Sequence, residues 1–376
     1  MGRNLLARSR CLTLDGSLRL ESGKSISGVQ IAYETYGRLN SQKSNAILVF
    51  HALSGDAHAA GSGSGDGKKP GWWDYLIGPG KGIDTEKYFV ICANTLGGCM
   101  GTTGPQSVNP STGKPYGLKF PIITIGDMVR VHKKLLDHLG IGKLLCIIGG
   151  SMGGMEVLKF ISDYPDSARL AIPIAVSLKQ SPQAIAFHEV GRQAVMRDPN
   201  WKGGGYYGRK RPDHGLSVAR MLSHITYMSE KSLWEKFGRN LQNKSSLDYH
   251  FDIEFQVESY LNYQGQSFTR RFDANSYLYI TRAIDYFDVA RGKRSAEEAF
   301  RKTTARCLVI SISSDWLYPT KESLAIVSAL RANGIDTSFI EVDAPHGHDS
   351  FLIRNEKFPR VIGGFIDSYY REAGLK

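Results

Sequence analysis

Residues Gly149-Gly150-Ser151-Met152-Gly153 spell G-x-S-x-G, and their setting limits the fold more than any other feature. The apolar run 143–148 before them reads as a buried strand, while Met155, Leu158 and Ile161 after them recur at helical spacing. A serine held between strand and helix needs a strained turn, and glycine neighbours let the chain make it without a Cβ clash. The helix behind it aims backbone N–H groups at the turn, which favours negative charge developing there. The pentapeptide alone is common. Strand before and helix after distinguish a nucleophile elbow from a Gly-rich helix entry with a capping serine.

The rest of the chain supplies a frame for such an elbow. Short apolar runs at 46–50, 88–92, 143–148 and 170–176 are each bounded by Gly, Asn, Ser or Pro, as buried parallel strands tend to be. Met128, Val131, Leu135 and Leu139 predict a helix that Gly140 stops. From about 179 to 300 this rhythm gives way to polar and aromatic sequence with helical segments at 217–230 and 231–242, and no buried strand is predicted. Strands at 307–311 and 337–342 and helices at 321–332 and 358–370 then resume it. The expectation is an α/β fold, mostly parallel, with a core of residues 1–178 and 301–376 and an inserted helical lid at 179–300.

A nucleophilic serine needs a base and an acid, which in this arrangement follow in the order Ser, Asp/Glu, His beyond later strands. Asp315 stands just past strand 307–311, and His348 follows strand 337–342. Both fall at C-terminal strand ends, where open α/β sheets gather their sites. Asp315 alone reads equally as a helix N-terminal residue, and order does not separate His348 from His346. The oxyanion donors are expected to be the backbone N–H of Met152 and that of Leu53, in the loop 51–55 after strand 46–50. His51 and His58 in that loop read as structural or rim residues.

Other patterns fail in context. Gly203 to Gly208 matches G-x-G-x-x-G but follows no strand, and Gly23-Lys24-Ser25 lacks the upstream glycine of a P-loop. His346-x-His348 has no further ligands beside it, so no metal is expected. The aromatic run 277–286 reads as helix packing. Five cysteines lie far apart without Cys-x-x-Cys, three of them in apolar runs, as buried free thiols do. Residues 1–10 have no apolar h-region, and no stretch approaches the ~18 apolar residues of a membrane span. A cytoplasmic protein is expected, with no membrane partner.

The chain of 376 residues carries 47 Lys+Arg against 36 Asp+Glu, a net charge of +11. That surplus suits an anionic partner without naming one. Its densest cluster, Arg209-Lys210-Arg211, reads as a solvated loop, with contact to a polyanionic cofactor as the alternative. No block of the nucleic-acid kind is present, so nucleic acid is not an expected partner.

Longer motifs carry a resemblance. Residues 51–58, 149–155, 215–220, 255–261, 271–275 and 347–352 resemble the homoserine O-acyltransferases, a family of the α/β-hydrolase superfamily, and the likeness runs from about residue 31 to 365. It implies that Ser151 is the nucleophile, Asp315 the acid and His348, not His346, the base. It further implies that Arg220 holds a homoserine carboxylate and Asp349 its α-amino group, with Tyr227 helping to line the pocket. Acetyl-CoA is the implied co-substrate and L-homoserine the acceptor in methionine biosynthesis, with no bound cofactor and a homodimer through the helical region. The succinyl branch carries an arginine directly after its Asp-Trp pair. Leu317 stands there, so an acetyl donor is expected, although 181–193 and 255–263 look like the succinyl branch. A succinyltransferase, a serine O-acyltransferase and a serine esterase of the same fold are the alternatives.

Overall fold

The structure is a computed structural model that describes residues 8–61 and 70–375, so most of the Gly/Ser tract at 61–67 and most of the amino-terminal ten residues lie outside it. Eight strands form the central sheet: β1 (Arg8–Thr13), β2 (Gln30–Tyr36), β3 (Ala46–Phe50), β4 (Phe89–Ala93), β5 (Leu144–Gly150), β6 (Ala168–Ile174), β7 (Arg306–Ile312) and β8 (Thr337–Val342). Their spatial order is β1-β2-β4-β3-β5-β6-β7-β8. Every neighbouring pair from β4 to β8 is parallel, whereas β2 is antiparallel to both its neighbours.

The central strands are buried end to end, which is why they read as unbroken apolar runs. β1 and β2 escaped that reading because β1, the edge strand, is largely exposed, and β2 beside it alternates exposed or half-buried with buried residues. β5 extends two residues past the predicted strand: Gly149 and Gly150 stay in register with Pro173 and Ile174 of β6.

Helices cover both faces. α1 (Ile125–His138) and α2 (Met152–Asp163) pack with α9 (Thr320–Arg331) in one apolar cluster, which holds Met128, Met155, Leu158 and Ile326. α10 (Lys357–Glu372) covers the opposite face through Phe358, Ile362 and Ile366, joined by Trp73 and Leu76. Thr124 caps α1 through a reciprocal box with Asp127, and Gly140 takes a φ of 66° just past its end.

Between β6 and β7 the chain inserts α3 (Pro182–Arg197), α4 (Asp213–Tyr227), α5 (Glu230–Phe237), α6 (Gln256–Thr269), α7 (Ala274–Asp285) and the short α8 (Ala296–Phe300). α5 is shorter than its predicted span of 231–242 because Gly238, with φ 51°, ends it. No named strand interrupts the insertion among the described residues. Tyr277 and Tyr279 are buried within α7, as helix packing predicted.

Candidate active site

Ser151 sits at the junction of β5 and α2 with φ 57° and ψ −123°, a conformation that costs a non-glycine residue about 1–3 kcal/mol. Its surroundings enforce that geometry. A Cβ on Gly153 would lie 2.3 Å from the Phe50 carbonyl oxygen, and one on Gly149 would lie 2.6 Å from the Gly153 backbone. Both clashes are with backbone, so neither position can relax to admit a side chain. The two glycines let α2 press against β3 and β5, and the Ser151 N–H is anchored on the Ile174 carbonyl at 3.0 Å.

Asp315 follows β7, and its side chain is fully buried. One carboxylate oxygen accepts from the backbone N–H groups of Leu317 and Tyr318, each at 2.9 Å. The other accepts from Nδ1 of His348 at 2.6 Å, a charge-assisted bond. His348 lies in a short helical turn, Gly347–Phe351, after β8. Because Asp315 engages Nδ1, the neutral ring keeps its lone pair on Nε2, and Nε2 is buried with no hydrogen-bond partner among the described residues. Burial disfavours a charged His348, but the charge and hydrogen bond of Asp315, with the charge of Asp349, outweigh it and raise the pKa. The bond to Asp315 is also what separates His348 from His346.

The helical insertion touches these loops directly. Gly347 has φ 74°, and a Cβ there would meet Ser229 N at 2.5 Å and Tyr227 O at 2.6 Å. Trp316 donates its ring N–H to the Met228 carbonyl at 3.0 Å, and Ser229 donates to the Pro345 carbonyl. On the core side, Trp73 and Tyr75 both donate to the Phe351 carbonyl, at 2.8 and 2.6 Å.

α4 brings Arg220 and Tyr227 to the same face. The Arg220 guanidinium carbon lies 5.8 Å from the Tyr227 ring centre, and that ring lies 5.7 Å from the His348 ring. Neither Arg220 nor Asp349 forms an ion pair among the described residues, and the buried Nε of Arg220 has no acceptor. Burial pushes the Asp349 carboxyl upward, and the charges of His348 and Arg220 offset this only in part. A carboxyl, Asp349, therefore lies next to His348 in the chain, and a cation, Arg220, lies across the Tyr227 ring from it, both unpaired among the described residues. A zwitterion with its own carboxylate and ammonium is complementary to that arrangement.

The loop carrying Leu53 is pinned by His51. Nε2 of His51 accepts the Thr95 N–H at 3.1 Å, so Nδ1 carries the proton and donates to the Ala52 carbonyl at 2.8 Å. Burial lowers the His51 pKa, in keeping with a neutral ring. Met152 opens α2, where the first N–H groups have no intrahelical acceptor. His58 contacts Glu34 at 2.9 Å.

Sequence reasoning passed over a buried pair beneath the elbow, His132 of α1 and Glu156 of α2, 2.9 Å apart. Its one signal was a glutamate inside the apolar stretch Met155-Glu156-Val157. Asp248, His250 and Glu254 bring possible metal ligands within 4.8 Å of one another, but the Lys244 ammonium already sits 2.7 Å from Asp248 and 3.5 Å from Glu254.

Residues 45–354 match the alpha/beta hydrolase fold family. A homoserine O-acetyltransferase of Methanohalobium evestigatum is 57% identical over 94% of this chain and 72% of its own length. The chain belongs to the homoserine O-acetyltransferase family. A crystal structure of homoserine O-acetyltransferase from Bacillus anthracis superposes with a TM-score of 0.90 at 30% identity, covering 96% of this chain and 98% of the other. An esterase, E22, superposes almost as well, with a TM-score of 0.87 at 30% identity over 96% of this chain and 100% of the esterase. Fold likeness therefore does not separate transferase from esterase, and the distinction lies with the residues around the serine. The family assignment agrees with the motifs that carried the resemblance. No helix among the described residues is long and apolar enough to cross a membrane.

Proposed function

We propose that this member of the homoserine O-acetyltransferase family moves an acetyl group from acetyl-CoA to the side-chain hydroxyl of L-homoserine, releasing O-acetyl-L-homoserine and CoA, as a step of methionine biosynthesis. The observation that carries the reading is an unpaired Asp349 next to a His348 whose Nε2 is free, with an unpaired Arg220 across the Tyr227 ring. In the first half-reaction Nε2 takes the Ser151 proton as Oγ attacks the thioester carbonyl. The N–H groups of Met152 and Leu53 receive the oxyanion, the C–S bond breaks, and the thiolate leaves as CoA with the proton from His348. Homoserine then binds with its carboxylate on Arg220 and its ammonium on Asp349. His348 takes the hydroxyl proton, the acetyl group passes to that oxygen, and the proton returns to Ser151. Asp315 holds the ring and stabilises its charged form throughout.

Leu317 supports acetyl over succinyl, because its apolar side chain packs on the core and offers no cation to a second carboxylate. Residues 179–300 act in this reading as a lid that limits water, which would otherwise hydrolyse the acetyl-enzyme. That region also exposes Val218, Ile225, Trp234 and Tyr263, apolar surface suited to a second copy of the chain. A homodimer in the cytoplasm is the proposed state. Light scattering at micromolar protein should give twice the chain mass, and a monomer would remove the dimer from the proposal.

The functional test is thiol release from acetyl-CoA with and without L-homoserine, in the parent and in Arg220→Ala. Parent release should depend on homoserine. Arg220→Ala should lower kcat/KM for homoserine by roughly 100-fold, the loss of a charge-assisted bidentate contact, while the acetyl-enzyme still forms at a similar rate. Release that ignores homoserine would make the protein an esterase, and equal loss in both half-reactions would remove Arg220 from the acceptor site.

A further inference from the structure

A concavity of about 220 Å³ gathers four arginines: Arg209, Arg211, Arg270 and Arg271. Arg211 is committed to the fold, donating to the Thr269 and Phe272 carbonyls at 2.7 and 2.5 Å and pairing with Asp213 at 3.4 Å. The other three are exposed and form no ion pair among the described residues. One carboxylate, Asp273, also lines the hollow, but it accepts from Tyr206 and Tyr207 hydroxyls and from the Ser276 N–H. It offsets one charge, and both of its oxygens are already engaged by those groups.

Three guanidinium groups facing one hollow repel each other, and solvation alone gives no reason to gather them. Arg271 bears the cost most directly. Partial desolvation, followed by the neighbouring Arg220 charge, pulls its pKa down despite the opposing charge of Asp56. The link to the active site is geometric. The Arg220 and Arg271 guanidinium carbons lie 4.8 and 5.4 Å from the centre of the same ring, Phe268. The hollow therefore opens one aromatic ring away from the cation proposed to hold the acceptor.

We propose that Arg209, Arg270 and Arg271 form the subsite that anchors the phosphate groups of the acyl donor. The inference rests on reading that donor as a coenzyme A thioester, which carries a pyrophosphate and a further phosphate at the end of a long arm. Guanidinium forks match phosphate oxygens two at a time, and a concave cationic site also raises the local concentration of such a ligand. The cluster Arg209-Lys210-Arg211, read from sequence as a solvated loop, contributes Arg209 to this role. Its loop is held in place by Tyr206 and Tyr207 against Asp273.

The test compares acetyl-CoA with S-acetylpantetheine, which keeps the thioester and arm but lacks the phosphates beyond them. Arg209→Ala, Arg270→Ala and Arg271→Ala are made singly and together, and kcat/KM is measured for both donors at saturating homoserine. The parent enzyme should prefer acetyl-CoA. Each substitution should lower that preference roughly ten-fold, as expected for a charge-assisted contact, and the triple variant should retain little of it. The parent preference should also weaken with added salt, and that of the triple variant should not. A preference unchanged in the triple variant overturns the subsite, whether both donors fall together or neither falls. A parent that releases no thiol from either donor overturns the donor reading instead. Calorimetry with CoA and pantetheine then decides the subsite separately: lost CoA affinity in the triple variant supports it, and unchanged affinity overturns it.

Discussion

Ser151→Ala is expected to lower homoserine acetylation by about 10⁴–10⁶-fold, the scale on which losing the nucleophile of a serine triad acts. The size follows from the distribution of roles. Asp315 and His348 remain bonded at 2.6 Å, and the Met152 and Leu53 amides remain in place, but no atom is left to carry the acetyl group. Mass spectrometry after mixing with acetyl-CoA should find the acetyl-enzyme in the parent and none in the variant. The fold should survive, because the elbow is imposed by Gly149, Gly153 and the Ser151 N–H bond to Ile174, none of which uses the hydroxyl. A melting temperature within a few degrees of the parent would establish that the loss is chemical. An active, folded Ser151→Ala protein would defeat the assignment of the nucleophile.

Asp315→Asn is expected to cost about 10⁴-fold in kcat through the tautomer rather than the geometry. The amide oxygen can still accept from the Leu317 and Tyr318 N–H groups, so its NH₂ faces Nδ1 of His348. Nδ1 must then accept, the ring proton moves to Nε2, and the base can no longer take a proton from Ser151. The same substitution predicts a direction in pH. The base acts when neutral, so the acid limb of the rate profile follows the His348 pKa, which Asp315 helps to hold above its usual value. Removing that charge lowers the pKa, and the acid limb of the residual activity should move to lower pH. An acid limb that stays in place or moves up would mean that another group sets the profile.

The fold and the elbow at Ser151 were legible because both are written in local patterns. Strands buried on both faces carry uninterrupted apolar runs, and the elbow must be strand, glycine, serine, glycine, helix in consecutive residues. Ser151, Asp315 and His348 could be read as candidates for a related reason: each residue follows its own strand, and parallel strands deliver their C-terminal ends to one edge. β1 and β2 were not legible, since strands near the sheet edge with one face partly exposed carry a weaker signal.

Other features depended on residues far apart in sequence. His348 prevails over His346 only because the β7 and β8 loops close on each other and place Nδ1 against Asp315. His132 and Glu156 form a buried pair because α1 and α2 pack together, which neither helix announces alone. Arg209, Arg270 and Arg271 come from two loops of the insertion and share one hollow only after α4, α6 and α7 assemble. A sequence determines what each segment prefers and, through strand order, which ends meet. Which charges are left unpaired when they meet is decided by side-chain geometry in the assembled fold, and that is where the proposed acceptor and donor sites arise.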